Sequence, residues 1–276
     1  MTTTSGSVAS APPAYDAAQR VSQARVVRSE WTKLRSLPST AWSLLTTVVL
    51  IVGFGAVYAL VRVTRPPREP ASMSAFDPTA ISLTGVQLAQ LAIGVLGVLL
   101  ITGEYSTGMI RSSLTAVPGR LPVLWGKAIV YALTTLTLCL PATFGAFLVG
   151  QSILSAEHLD TTLGQPGVVR AVLGSALYLT AVGLLGLGLG ALLRNTAAAI
   201  SSLFGLLFAL QIIVGFLPEA WSDVVYKYLP TPAGTAVTSA RPDPTLLAPW
   251  TGLGVFCLYA AVVLGLAAWQ LRRRDA

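Results

Sequence analysis

The chain has 276 residues, of which 54% are hydrophobic and only 11% charged, and its formal net charge is +7. Soluble domains carry roughly 25% charged residues, so this composition excludes an ordinary water-soluble enzyme or binding module and points to a protein that lives in a bilayer. The basic excess suits anionic lipid headgroups and is no argument for nucleic acid.

In chain order, residues 1–14 have the small, proline-bearing makeup of a disordered cytoplasmic tail and lack the basic-then-apolar layout of a secretory signal. Residues 15–37 predict an amphipathic helix lying flat at the membrane interface. Val27, Trp31 and Leu34 recur at helical spacing, Arg20, Arg25, Arg28, Lys33 and Arg35 stay polar, and Pro38 ends the pattern. Trp31 and Trp42 suit the headgroup zone, where each basic residue gains roughly 1 kcal/mol from an anionic surface.

Residues 38–276 predict a transmembrane domain of six helices. The apolar runs are Trp42 to Val61, Leu83 to Thr102, Leu124 to Leu148, Val172 to Leu193, Ala198 to Phe216 and Trp250 to Leu271. Each is close to the roughly 20 residues that cross a hydrocarbon layer as a helix. Backbone groups in lipid must pair internally, and no alternating segments of a barrel are present, so the fold class is an all-α membrane protein. Basic residues gather on the side that holds the termini and the loop at 103–120. Arg62, Arg65 and Arg68 in the first opposite loop dissent but are outnumbered. This bias predicts a multi-pass protein of the cell membrane with both termini cytoplasmic.

Within the spans, Gln87 and Gln90 with Gly94 and Gly97 draw a polar, small-residue stripe along the second helix, and Gln211 stands in the fifth. Such amides act as packing glue between helices, or line a substrate path or a dimer seam, and both readings stay open. Gly183, Gly186 and Gly190 form a close-approach face on the fourth span, and Pro141 should bend the third. Cys139 and Cys257 read as small buried thiols. No acid, lysine or arginine lies in the middle of a span, which argues against a proton- or sodium-coupled carrier. No span contains a histidine, so an intramembrane serine protease lacks its base. His158, beside Glu157 and Asp160, reads as solvated, and no metal ligand is assigned. The loop at 217–249, rich in proline and bearing Trp221, Tyr226 and Tyr228, predicts short interfacial helices that form a lid or a packed plug.

The stretch GEYSTGMIRSSLTAVPGR, residues 103–120, interrupts two of the most apolar runs. Holding Glu104 or Arg111 at the bilayer centre costs about 2.5–3.5 kcal/mol each, so the segment leaves the membrane. It predicts a short helix with Ser106 or Thr107 as its cap, Glu104 at the positive end of its dipole, and Pro118 and Gly119 as its stop. Ile110, Leu114 and Val117 make an apolar face opposite Arg111, Ser112 and Thr115, fit to rest on the membrane or to enter a groove on a soluble partner.

The stretches ITGEYSTGMIRSSLTAVPGRLPVLWGKAIVYAL and SEWTKLRSLPSTAWSLLTTVVL resemble the ABC-2-type transporter permeases of actinobacteria. The resemblance implies a six-helix permease subunit with an N-terminal interfacial helix and a first cytoplasmic loop that serves as a coupling helix against a separate ABC ATP-binding subunit. On that likeness Glu104, Tyr105, Ser106, Thr107, Gly108, Met109, Ile110 and Arg111 begin the coupling segment, Leu114 lies within it, and Pro118, Gly119 and Arg120 end it. It also implies an exporter built with a second permease subunit, as homodimer or heterodimer, to which the small-residue faces add support. No cofactor is expected in this chain, and ATP and magnesium belong to the partner ATPase. The nearest phosphate-loop match, LPVLWGKA, has Gly126 and Lys127 but carries Leu121 for the first glycine and Ala128 for the magnesium-binding hydroxyl, so no catalysis is expected of this polypeptide. The rival classes are a membrane anchor or regulatory protein without transport activity, and a secondary carrier.

Overall fold

Every regular element in the described part of the chain is helical, as expected where backbone groups close their hydrogen bonds without water. The structure is a computed structural model that describes residues 23–36, 38–65, 76–108 and 121–273. The tail at 1–14, the first part of the expected interfacial helix, and Met109, Ile110, Arg111, Leu114, Pro118, Gly119 and Arg120 of the expected coupling segment lie outside the described residues.

The helices are α1 (Gln23–Ser36), α2 (Pro38–Thr64), α3 (Pro78–Ser82), α4 (Val86–Ser106) and α5 (Leu121–Leu154). They are followed by α6 (Val168–Leu193), α7 (Thr196–Val214), α8 (Glu219–Tyr226), α9 (Pro230–Thr235) and α10 (Pro249–Arg273). Among the described residues six, namely α2, α4, α5, α6, α7 and α10, are long and apolar enough to cross a membrane, and the fold is that of a multi-pass helical protein. Two boundaries differ from expectation. Helix α4 runs on past Thr102 to Ser106, and α5 starts at Leu121 and continues unbroken through Pro141.

Helix α6 is the centre of the bundle, packed by α4, α5, α7 and α10. Its glycines explain why. A Cβ on Gly186 would collide with the carbonyl of Gly94, and one on Gly97 with the carbonyl of Gly183, so α4 and α6 meet at backbone distance. The close-approach face is therefore consumed inside the chain, and it lends no support to a dimer. Leucines and valines on the outer helices are left bare, among them Leu45, Val57, Leu133, Leu148, Ile212 and Leu258. So continuous an apolar surface is what lipid covers. Cys139 is buried as expected, whereas Cys257 lies on the exposed side of α10.

A five-residue π turn, Gly205–Ala209, widens α7. Such a turn breaks the regular hydrogen-bond ladder, and the Leu207 carbonyl accepts from both Gln211 Nε2 and Thr231 Oγ1 at 2.6 Å. Thr231 belongs to α9, which is buried from Pro230 to Gly234 and packs on α10. This part of the loop at 217–249 is therefore packed into the bundle. Asp77 caps α3 by accepting from the Thr79 and Ala80 amides, and its other oxygen accepts from the amides of Ala240 and Arg241. Arg170 donates to the carbonyls of Ser239 and Ala240, closing this end of the bundle.

Candidate functional site: a buried ion cluster beside the 109–120 segment

At the opposite end, which carries α1 and the last turn of α10, α1 lies along α5, and Gln23 Nε2 donates to the Pro122 carbonyl at 3.1 Å. The buried stripe of α1 is Val26, Glu30 and Leu34, spaced at i, i+4 and i+8. That stripe is a correction to the expected Val27, Trp31 and Leu34 face. Val27 is half-buried and Trp31 exposed, so the helix is turned by about one residue and presents its only acid to the bundle.

Glu30 enters a cluster of alternating charge. Lys127, in the second turn of α5 and 3% exposed, donates to Glu30 Oε2 at 2.6 Å and to Glu104 Oε1 at 2.9 Å. Lys33 donates to Glu30 Oε1 at 2.7 Å and to Glu104 Oε1 at 3.3 Å. Two carboxylates and two ammonium groups thus cancel, which is what makes their burial affordable in a low dielectric. Burial alone would push the Glu30 carboxyl up, but the charges and hydrogen bonds of Lys127 and Lys33 outweigh it and hold that carboxyl below its ordinary range. Burial likewise opposes the charge on Lys33, and its bond to Glu30 together with the Glu104 and Glu30 charges wins, raising it above the ordinary lysine value. The second oxygen of Glu104, Oε2, is buried and has no hydrogen-bond partner among the described residues.

The expected site residues distribute as follows. Glu104 sits in the last turn of α4, not at the start of a separate helix, and a carboxylate there gains nothing from the helix dipole; Lys127 and Lys33 are what stabilise it. Ser106 and Thr107 are likewise at a helix end: their hydroxyls donate back to the Gly103 carbonyl at 3.0 and 2.9 Å instead of capping a start. Gly108, at φ +72°, is the left-handed residue by which the chain leaves α4. Beside it the Arg194 guanidinium lies 5.5 Å from the centre of the Tyr105 ring. Arg28, Arg35, Trp31 and Trp42 are exposed, as a surface helix and its exit require. Lys33 is not simply a lipid-facing base.

Of the three glutamines, one bonds across to a neighbouring helix. Gln90 is fully buried, accepts from the Tyr178 hydroxyl across to α6, and donates to the Gln87 carbonyl at 2.9 Å. Gln87 is exposed, and Gln211 bonds within its own helix to Leu207.

Sequence reasoning missed Glu30 and Lys127 as site residues. The signal was present in the spacing: Glu30 is flanked at four residues on either side by Val26 and Leu34, and Lys127 stands inside an apolar run. A charge on an apolar face asks for a counter-charge. The cluster ties α1, α4 and α5 together at both roots of the 109–120 segment. The chain matches no protein-family model and no curated protein.

Proposed function

We propose that the chain is the transmembrane permease subunit of an ATP-driven exporter in the cell membrane, worked by a separate ATP-binding subunit that engages residues 103–120. The observation that carries this is the cluster of Glu30, Lys33, Glu104 and Lys127. The segment leaves α4 just after Glu104 and enters α5 just before Lys127, so a displacement of it is delivered to α1, α4 and α5 as one body. A loop that merely joined two spans would need no such brace. Both termini and this segment are cytoplasmic in the proposal, and α1 rests on the inner leaflet with Trp31, Arg28 and Arg35 turned outward. ATP and magnesium are held by the partner subunit, and a second permease subunit, identical or not, completes the pathway.

The decisive experiment co-expresses the chain with a candidate ATP-binding subunit and replaces Ile110 and Leu114 by aspartate. Loss of co-purification and of ATP-driven transport is expected, and retention of both overturns the proposal. A secondary carrier has one observation in its favour, namely buried ionisable groups within spans. These lie in the last turn of α4 and the second turn of α5, away from the middle of the bundle. Uptake driven by an ion gradient in vesicles without any ATPase would establish that class instead.

A further inference from the structure

A groove of about 480 Å³ runs between α1, α2 and α5. Val27 and Trp31 form its α1 wall, Leu44 its α2 wall, and Val130, Leu133 and Leu138 line it along α5. The volume falls within the roughly 300–1,000 Å³ of small-molecule sites. At the helical rise per residue the α5 side is about 12 Å long, and α5 is one of the helices long and apolar enough to cross a membrane.

Three observations narrow the occupant. The two threonines that line the groove, Thr134 and Thr137, donate their hydroxyls to the carbonyls of Val130 and Leu133 in their own helix, at 2.8 and 2.6 Å. With those hydroxyls already engaged, the lining suits a hydrocarbon chain. Trp31 is 48% and Leu133 58% exposed, so the groove opens on the outside of the bundle, where an apolar surface meets lipid. Finally, the exposed charges of α1 are positive. Its one acid, Glu30, is turned in to Lys127, whereas Arg28 and Arg35 are exposed and form no ion pair among the described residues. They stand three residues before and four after Trp31, on the same side of the helix as that ring.

We infer that this groove seats one acyl chain of an anionic phospholipid, whose phosphate meets Arg28 and Arg35 at the mouth. Guanidinium groups suit that role, because their fixed fork of N–H donors matches phosphate oxygens. A choline lipid offers the same phosphate and the same chain, but its quaternary ammonium brings a positive charge among the arginines, so net charge selects the headgroup. One seated molecule differs from the diffuse attraction of every basic residue to an anionic leaflet, because it favours two arginines over the rest. The site stands independently of transport and of any partner subunit.

To test this, the full chain is reconstituted in choline-lipid vesicles with a trace of a glycerol or a choline phospholipid, both carrying the same photoactivatable acyl chain. Crosslinked peptides are then counted by mass spectrometry. Labelling of α5 between Leu133 and Leu138 is expected to be about 25-fold higher with the glycerol lipid, roughly fivefold for each arginine at an anionic surface. Arg28→Gln together with Arg35→Gln is expected to make the two lipids label alike. Arg272→Gln together with Arg273→Gln removes another exposed basic pair at the same end of the bundle and is expected to leave the ratio unchanged. Equal labelling by the two lipids in the parent, an undiminished ratio without Arg28 and Arg35, or an equal fall without Arg272 and Arg273 would each overturn the inference. All four arginines are exposed, so both variants are expected to unfold at the parent's temperature. Should the Arg28 and Arg35 variant unfold earlier, the headgroup ratio on the parent and on the Arg272 and Arg273 variant decides.

Discussion

Replacing Lys127 with methionine keeps the length and apolar stem of the side chain and deletes only its charge. In the parent, that charge sits 2.6 Å from Glu30 and 2.9 Å from Glu104. At an effective dielectric of about 20 each contact corresponds to about 6 kcal/mol of attraction before desolvation is set against it. Lys127→Met leaves two buried carboxylates facing Lys33 alone, and losing one partner of a buried ion pair costs about 3–5 kcal/mol. Equilibrium unfolding in mixed micelles, followed by tryptophan fluorescence, reads this directly, because Trp125 lies two residues away in the same helix. Adding Glu30→Leu and Glu104→Leu to Lys127→Met is expected to recover part of the loss, since the two carboxylates that Lys127→Met strands are removed with it. The reasoning is refuted if Lys127→Met stays within about 0.5 kcal/mol of the parent. It is equally refuted if Glu30→Gln and Lys127→Met are additive in a double-mutant cycle, as unconnected sites are.

The same cluster predicts a pH profile. Because the Glu30 carboxyl is held below its ordinary range, its contribution is complete above about pH 4.3 and is lost as pH falls through the lower folded value. Because Lys33 is held above its ordinary value, its contribution is complete below about pH 10.4 and is lost as pH rises through the higher folded value. Unfolding measured across pH should show an acid limb that Glu30→Gln removes. Asp77→Ala should cost about 1–2 kcal/mol for the lost cap of α3 and speed amide exchange at Ala240 and Arg241, whose N–H groups it releases. Gly186→Leu should force α6 away from the Gly94 carbonyl and destabilise by at least about 1–3 kcal/mol, whereas Gly254→Leu, which meets nothing within 4 Å, should be neutral in the same unfolding assay. For orientation, cysteines placed at Ser112 and Ser222 should react with an impermeant label from opposite sides of the membrane.

Hydrophobicity alone made the six spans legible, because a helix that must cross lipid announces itself as an uninterrupted run, and each described span overlaps its expected one. The glycines at 183, 186 and 190 were legible as a close-approach face, but which helix they approach was not. A Gly-rich face fits another copy as well as another span, and only the packing of α4 on α6 decides between them. The loop at 217–249 looked undecided for the same reason: its prolines set turns, while the burial of α9 depends on the Leu207 carbonyl that a π turn in α7 makes available.

The ion cluster was the least legible feature, and its obscurity has a physical cause. Glu30, Lys33, Glu104 and Lys127 come from three segments separated by tens of residues, and each taken singly has a bland local role: one acid in a basic helix, one base at a lipid surface, one acid at a helix end, one lysine near an interface. Local patterns report the face on which a side chain lies, but they do not report which charge meets it there. What the pattern did hold was the mismatch at Glu30, an acid on the face that Val26 and Leu34 bury. Because burying that acid unpaired would cost more than the helix gains from its apolar neighbours, α1 can dock only where a cation waits, and Lys127 fixes the place. The docking of α1 and the bracing of the roots of the 109–120 segment are therefore one event, so a variant that frees α1 should also uncouple α4 from α5 at that end.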